Sequence, residues 1–511
     1  MATRTAEIEC PPNLKERRAN RSIQIAIFGV VILTVLRFVT AVYLPLSFDE
    51  SYFWLWSKHL AISYYDHPPL IALAIRLGTL VFGDTELGVR VVSLAASIGA
   101  SWAVWRAAAM LLADETAGAT ACLLFNATLM VASQAIGATP DALVLCAAAF
   151  LLFALAKLQM TGDGKWWLAA GLAIGIALLA KYTALLLGAG VALWLGASPR
   201  GRAWFKSPWP YVAGILAFTF FVPTVVWNAT HDWVSFQFQF GRVVAGTANF
   251  AFLAEFVAGQ LVLASPCILA LAIAGLGQET RAWGATRTIS IAAAMVWPAL
   301  VYFLIHATHD RVQGNWPSFV YPALTVLAAA ALQANTARAN RFVAVSRALA
   351  LPVAALILTV SYLQAWTGLL PLGLQDPIAR MMAVGIRPVA GEISSFAARN
   401  HAAAIVTSKY ATAGWLAFYL DPHLPIIETA EDYRWLAAPH ACPSVLRMPL
   451  LYVTQNPRRE LPSVAAHFST VVLRETLVRS RNGATIDKFY VYSLSGFHGP
   501  AVGRAVNAID D

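Results

Sequence analysis

Charge is what this sequence has least of. Only 12% of its 511 residues are Asp, Glu, Lys or Arg, while 59% are hydrophobic, against roughly a quarter charged in an ordinary soluble domain. That scarcity excludes a water-soluble globular fold. Cysteine is sparse too: Cys10, Cys122, Cys146, Cys267 and Cys442 form no CxxC pair and no metal-ligand spacing, which sets aside a disulfide framework or a zinc ribbon. A P-loop, a dinucleotide glycine fingerprint and HExxH are all missing, so nucleotide-driven and zinc-protease chemistry have no support. The opening MATRTAEIECPPNLKERRANRS has neither the short apolar core nor the small-residue cleavage site of a secretory signal. The first apolar helix is therefore expected to be retained.

What is present is a succession of apolar runs from Ile23 to Trp366, each close to the 20 or so residues that cross about 30 Å of hydrocarbon. They predict spans near 22–43, 87–112, 117–137, 141–158, 166–180, 182–197, 208–227, 252–275, 288–306, 316–334 and 346–367. The expected fold is an α-helical polytopic membrane bundle of about 11 transmembrane helices with a C-terminal extracytoplasmic α/β domain. The boundaries are a cytoplasmic tail at 1–21, the membrane domain at 22–370 with its first external loop at 44–86, and the external domain at 371–511. With the N-terminus in the cytoplasm, Arg106, Lys157, Lys165, Arg200, Arg202, Lys206, Arg281, Arg287, Arg338, Arg341 and Arg347 all fall in cytoplasmic connections. The positive-inside rule is then obeyed throughout, and the formal charge of +9 reads as topology, with no nucleic-acid partner. The last domain is read from β-rich runs (AAIVTSK, PLLYVTQ, STVVLRE, KFYVYSL) alternating with helical stretches.

Against so apolar a background the polar residues of the external side stand out. Asp49 and Glu50 open the first loop, ahead of an aromatic stretch, Tyr52 to Trp56, expected to lie along the membrane interface. Tyr64-Tyr65-Asp66-His67-Pro68-Pro69 follows. Asp141 sits in Thr139-Pro140-Asp141, where proline suits the first helical turn and an acid complements the helix dipole. Lys181 interrupts the apolar run from Trp166 to Leu195, which is too short for two full crossings with a loop, so half-length or tilted helices should meet there. A lysine at that depth costs on the order of 2.5–3.5 kcal/mol at a helix centre, and an external anion would offset it. HATHDRVQGNWP adds His306, His309, Asp310, Arg311, Gln313 and Asn315, and NATHDW adds His231 and Asp232. Either loop also suits a plain polar interface with an aromatic anchor. Neither has the ligands of a closed zinc site. No metal and no cofactor are expected to be required, with a weakly held divalent cation left open. Lys409 and Tyr410 open a predicted helix in the last domain, where they could face the membrane cavity as part of an acceptor site; a strand-to-helix turn with surface polar residues is the preferred reading.

Topology carries Asp49, Asp141 and Lys181 to one side of the membrane from three separate segments. Two acids and a cation there suit transfer from a phosphate-bearing lipid: a carboxylate takes a proton from the acceptor while cations stabilise the departing phosphate. The runs SFDESYFWLWSKHLAISYYDHPPLIALAIRLGTLVFGDTELGVR, TPDAL, GLAIGIALLAKYTALLLG, VWNATHDWVSFQFQFGR and NWPSFVYPAL resemble the bacterial GT-C glycosyltransferases related to protein O-mannosyltransferases and lipid A aminoarabinose transferases. The resemblance implies an inner-membrane hexosyl- or pentosyltransferase that uses a polyprenyl-phosphate-linked sugar, acts in the periplasm and inverts the anomeric centre. It places the general base on Asp49 beside Glu50, a second acid on Asp141, and the donor-phosphate lysine on Lys181. Many relatives have lysine where His67 stands, so His67 must be protonated or donate as a neutral ring. His67 and Arg311 join Lys181 as expected phosphate contacts. Tyr65, Asp66, Tyr182, His309 and Asn315 are expected to contact substrate. The acceptor is expected to be lipid A, lipopolysaccharide core or another envelope glycan, with protein Ser/Thr as an alternative. A lipid or sugar transporter is the alternative from a different class, less suited because no inverted repeat is visible.

Overall fold

The computed structural model describes residues 14–244, 246–334, 341–420, 424–500 and 502–507; Cys10, Arg338 and most of the expected N-terminal tail lie outside them. Helices dominate the first 370 or so residues. Among the described residues five helices are long and apolar enough to cross a membrane: α1 (Leu14–Tyr43, apolar from Ala19), α4 (Glu86–Leu111), α7 (Pro140–Thr161), Trp209–Thr230 and Arg341–Thr367. Three bent pairs raise the number to eight if each is one span, and Leu70–Phe82 (α3), Trp166–Ala180 (α8) and Ile291–His306 are shorter apolar helices.

This pattern departs from eleven uninterrupted spans. The run expected at 117–137 breaks into α5 (Glu115–Ala127) and α6 (Leu129–Ile136), bent by 69°. Thr128 caps α6 from its side chain, and Arg37 of α1, almost fully buried, donates to both the side-chain oxygen (2.6 Å) and the carbonyl (2.7 Å) of Asn126. The carbonyl freed at the helix end thus gains a charged donor in place of water. The run expected at 252–275 turns by 103° between Phe250–Ala264 and Pro266–Thr286, because Pro266 has no N–H to offer the preceding turn and Ser265 takes a φ of 65°. The half-length helices expected around Lys181 are present as α8 and α9 (Leu185–Ala197), joined through Lys181 in extended backbone and a 3₁₀ turn at Tyr182–Ala184.

The loop after α1 begins under protein rather than at its surface. Its helix α2 (Phe48–Lys58) buries every residue from Glu50 to Ser57, so the expectation that Tyr52 to Trp56 lie along the interface is corrected. The cause is the helix Tyr410–Tyr419, which covers α2 so closely that a Cβ on Gly414 would stand 2.7 Å from the Ser51 hydroxyl.

That covering helix belongs to a six-stranded mixed sheet of order β4-β5-β3-β1-β2-β6. Its strands are β1 (Ile405–Thr407), β2 (Ile426–Glu428), β3 (Leu450–Thr454), β4 (Phe468–Arg481), β5 (Ala484–Phe497) and β6 (Arg504–Ala505). β1, β2 and β3 run parallel, and the rest pair antiparallel. Asn482 and Gly483, with φ of 50° and 80°, make the tight turn that matches strand twist. The hairpin tip reaches the bundle: Arg481 donates to the carbonyls of Gln364 (3.0 Å) and Ala365 (2.7 Å), and Asn482 to that of Thr367 (2.7 Å). These are last-turn acceptors of the helix Arg341–Thr367, where cations complement the dipole. One apolar core continues from Leu46 and Phe125 in the bundle to Ile393 and Phe489 beside the sheet.

A buried ion pair sets the join. Arg90 of α4 and Glu50 of α2 are both fully buried, 2.6 Å apart. Arg90 also donates to the carbonyls of Ala41, Leu44 and Pro45, while Glu50 accepts from the N–H of Ser47 (2.8 Å) and Ala138 (3.1 Å). Removing one partner leaves an uncompensated buried charge, so Arg90→Met and Glu50→Leu should each lose about 3–5 kcal/mol. The double variant should recover part of that loss, as read by thermal unfolding of purified protein.

Candidate functional site

Adjacent positions on a helix point about 100° apart, and α2 uses that angle to divide its two acids. Ser47 caps the helix with a reciprocal Ser47–Glu50 box, which commits Glu50 to the interior beside Arg90. Asp49 faces the sheet domain instead, where the Tyr410 hydroxyl donates to its Oδ1 at 3.4 Å. Burial, then the Asp66 carboxylate, push the Asp49 carboxyl up to about 7, opposed by Tyr410 and Arg434, with a small upward push from Glu50. A group so placed exchanges its proton near neutrality, as a general base must.

The loop between α2 and α3 is held rigidly. Tyr64 stacks on Trp56 with centroids 4.1 Å apart, Ser235 donates to the Tyr64 carbonyl at 3.0 Å and Gln239 to that of Asp66 at 2.8 Å. Asp66 accepts from the Tyr52 hydroxyl at 2.8 Å and pairs with Arg434. The Arg434 guanidinium lies 4.7 Å from the Tyr410 ring and 5.6 Å from those of Tyr65 and Tyr433. His67 follows. Burial, then the cations Lys181 and Arg434, drive its pKa well below the usual value, and its Nδ1 is buried without a hydrogen-bond partner. Of the two states expected for His67, the neutral donor is the one these surroundings favour.

A second cluster forms where α7 begins and α8 ends. Lys181 Nζ donates to both oxygens of Asp141 at 2.8 Å, with both side chains buried. Asn315 donates to Asp141 Oδ2 at 2.9 Å. The Trp316 ring lies 5.9 Å from Lys181 Nζ and 5.2 Å from the Arg242 guanidinium, so Arg242, which stands 3.7 Å from Asp310, shares this wall. Asp141 is a fixed counter-ion for Lys181 here, with its oxygens already engaged. One N–H of Lys181 is left beyond the two bonds to Asp141.

The other expected residues are spread more widely. Tyr182 is buried edge-on against Phe221 and Phe236. His309 lies beside His306, ring centroids 5.1 Å apart, and Arg311 is drawn to an exposed pair with Glu255 at 3.0 Å. His231 bonds the Trp227 carbonyl at 2.8 Å and stacks on its ring, closing a helix end. Lys409 pairs with Glu460 at 2.7 Å, away from Asp49, whereas its neighbour Tyr410 enters the site that the turn reading denied it. Among the described residues no three His, Cys, Asp or Glu side chains group to hold a metal ion.

The family described as dolichyl-phosphate-mannose-protein mannosyltransferase matches residues 66–227. Lipid A galacturonosyltransferase RgtD of Rhizobium johnstonii is 25% identical over 294 residues, 55% of this chain and 59% of that protein, so the match spans under two thirds of the relative. ArnT of Cupriavidus metallidurans superposes in the apo state with a TM-score of 0.61 at 16% identity, covering 93% of this chain and 98% of that one. Its structure bound to undecaprenyl phosphate gives a TM-score of 0.62 at 16% identity, with 93% and 99% covered. The chain shares the fold of ArnT. The family match takes in the loop with Asp66 and His67, Asp141 and Lys181, but stops short of Arg242 and the whole sheet domain.

Arg434 is the residue sequence reasoning missed. It stands 368 positions from Asp66, and its only local signal is an arginine between aromatics in DYRWL.

The Asp49 shift gives a test independent of activity. A carboxyl raised in the fold holds its proton more tightly than in the unfolded chain, so stability falls as pH rises from the unfolded value, about 4, through the folded value near 7. Asp49→Asn should therefore gain stability over wild type across that window and stay level above it, measured as thermal midpoints in detergent; a constant offset at every pH would remove the shift.

Proposed function

We propose that this protein is an integral membrane glycosyltransferase that moves a sugar from a polyprenyl-phosphate donor to an envelope glycolipid or glycan. The observation that carries the reading is Asp49: a carboxyl pushed up to about 7, at the covered mouth of a GT-C bundle, in an assembly that also holds the buried Lys181–Asp141 pair. The donor phosphate would lie toward Lys181 and Arg242, and the polyprenyl tail along the helices. An acceptor hydroxyl attacks the anomeric carbon and gives its proton to Asp49. The bond from that carbon to the phosphate oxygen breaks, and the lipid phosphate leaves with the electron pair without needing a proton. Attack opposite the leaving group inverts the anomeric centre. Neutral His67 can donate one hydrogen bond to the phosphate or the sugar.

The membrane placement belongs to the same reading: an inner-membrane protein with a cytoplasmic N-terminus, and with the sheet domain and site in the periplasm. It is supported by the arginines and lysines of the opposite connections. A glycolipid acceptor is favoured because RgtD is described as acting on lipid A. Transfer to protein Ser/Thr is the second reading, favoured by the description of the family matching 66–227. The step uses protein cations and needs no metal, so turnover should persist in excess EDTA.

The test is label transfer from polyprenyl-phosphate sugars by purified protein to envelope glycolipid. Asp49→Asn should reduce kcat at least 10²-fold, as expected for loss of a general base, while retaining donor binding; wild-type turnover in that variant would remove Asp49 from the step. Lys181→Gln should weaken donor affinity more than it lowers kcat, and unchanged affinity would overturn the phosphate assignment.

A further inference from the structure

Asp49 is surrounded by more negative charge than one helix supplies. Glu50 lies beside it on α2, and Tyr52 lies one turn on. From the α2–α3 loop comes Asp66, whose charge raises the proton affinity of Asp49. From the sheet domain come the Tyr410 hydroxyl at 3.4 Å and Glu431, which accepts the Tyr410 N–H at 2.7 Å and stands 3.5 Å from Arg434. Glu50 has Arg90 of its own. Asp66 and Glu431 share one guanidinium, that of Arg434, whose charge also acts on Asp49.

Arg434 is delivered by a braced loop. β2 ends at Glu428, whose carboxylate accepts the N–H groups of Ala430 and Glu431 at 3.0 Å and turns the chain toward α2. Asp432 is held by Arg504 at 2.9 Å. Trp435, buried, meets the Tyr52 ring with centroids 5.0 Å apart. Bonds and packing on both sides of residue 434 leave its side chain little choice but the Asp66 carboxylate and the three tyrosine rings. A side chain locked by neighbours of this kind is how a fold holds a reacting group to a set geometry.

We propose that Arg434 is a positioning residue for the transfer step, through which the sheet domain holds Asp66 and Tyr410 in place beside Asp49. It neutralises Asp66, adds its own attraction for the ionised form of Asp49, and packs over the ring of the tyrosine that bonds Asp49. The sheet domain is thereby part of the catalytic centre: undocking it would withdraw Arg434 and Tyr410 together and leave Asp49 protonated beside a bare Asp66. The inference rests on the base role of Asp49 in the proposed reaction.

The experiment is the pH dependence of kcat/KM for wild type, Arg434→Gln, Arg434→Lys and Asp66→Asn, read beside the thermal midpoint of each across the same pH range with and without Asp49→Asn. Loss of the cation should move the acid limb of Arg434→Gln up by about one pH unit, the low end of what a nearby opposite charge supplies. One unit below the wild-type limb, its rate should fall about a further tenfold. Arg434→Lys should keep the limb near wild type, and Asp66→Asn should move it down. If Arg434→Gln does not fold, the opposite displacement in Asp66→Asn still tests the charge argument. A residue that only staples the domain would lower kcat/KM equally at every pH and leave all limbs aligned, and that result would overturn the proposal. The stability cycle separates the two readings: if no transfer is found with any donor but the Asp49 midpoint still moves with Arg434, the charge coupling stands and the reaction fails. A midpoint indifferent to Arg434 sinks the coupling whatever the activity.

Discussion

The site depends on one buried ion pair set behind it. Glu50 and Arg90 are fully buried, and between them they bind the carbonyls that end α1, the N-cap of α2 and the N–H of Ala138, three residues before Asp141. Taking two charges out of water is repaid only when every remaining donor and acceptor is used; here five main-chain groups share the work. The consequence is geometric. With Glu50 pinned inward, the helix angle leaves Asp49 facing the sheet domain, and the turn that leads to Asp141 is anchored to the same carboxylate.

Polar groups reach the site because helices stop there. Lys181 sits in extended backbone between α8 and the 3₁₀ turn, Asp141 in the first turn of α7, Asp49 in the first turn of α2, and Tyr410 in the first turn of the helix that covers it. Non-helical backbone within an apolar bundle survives only where protein or a cavity satisfies it, so the breaks and the charges support one another. Both oxygens of Asp141 are taken by Lys181, which spares that lysine most of the cost of burial and holds it in place before any anion arrives. An anion then adds to an existing pair and need not order a free side chain.

How much of this was legible follows from where each signal lies. Lys181 and Asp141 stand out because they interrupt apolar runs, and their convergence follows from counting crossings; the half-helices around Lys181 follow from run length. The aromatic stretch from Tyr52 to Trp56 has the pattern of an interfacial helix until the helix Tyr410–Tyr419 is laid over it, a contact some 360 residues away in sequence. Breaks at Thr128 and Pro266 were hidden because composition does not change across them. Lys409 and Tyr410 show the limit most sharply: neighbours in sequence, they part at the start of one helix, the lysine to Glu460 and the tyrosine to Asp49. Arg434 and Arg242 had no apolar run to interrupt, so only flanking aromatics marked the first and only its place at the end of VWNATHDWVSFQFQFGR the second.

The charges of the site are also largely cancelled in advance. Lys181 is matched by Asp141, Arg242 stands near Asp310, and Arg434 is matched by Asp66, while burial, and then the cations around it, favour neutral His67. Such a site holds little net positive charge to draw an anion in from a distance, and steering scales with the unbalanced field. Its donor would gain instead from cations already oriented and shielded from water, where each contact is stronger than at an open surface. A membrane-bound donor suits that arrangement, since a ligand confined to the bilayer arrives by lateral diffusion along the helices and needs placing more than attracting. The sheet domain completes the logic: it seats a tyrosine against Asp49 and an arginine over that tyrosine, covering the carboxyl that serves as base in the proposed reaction.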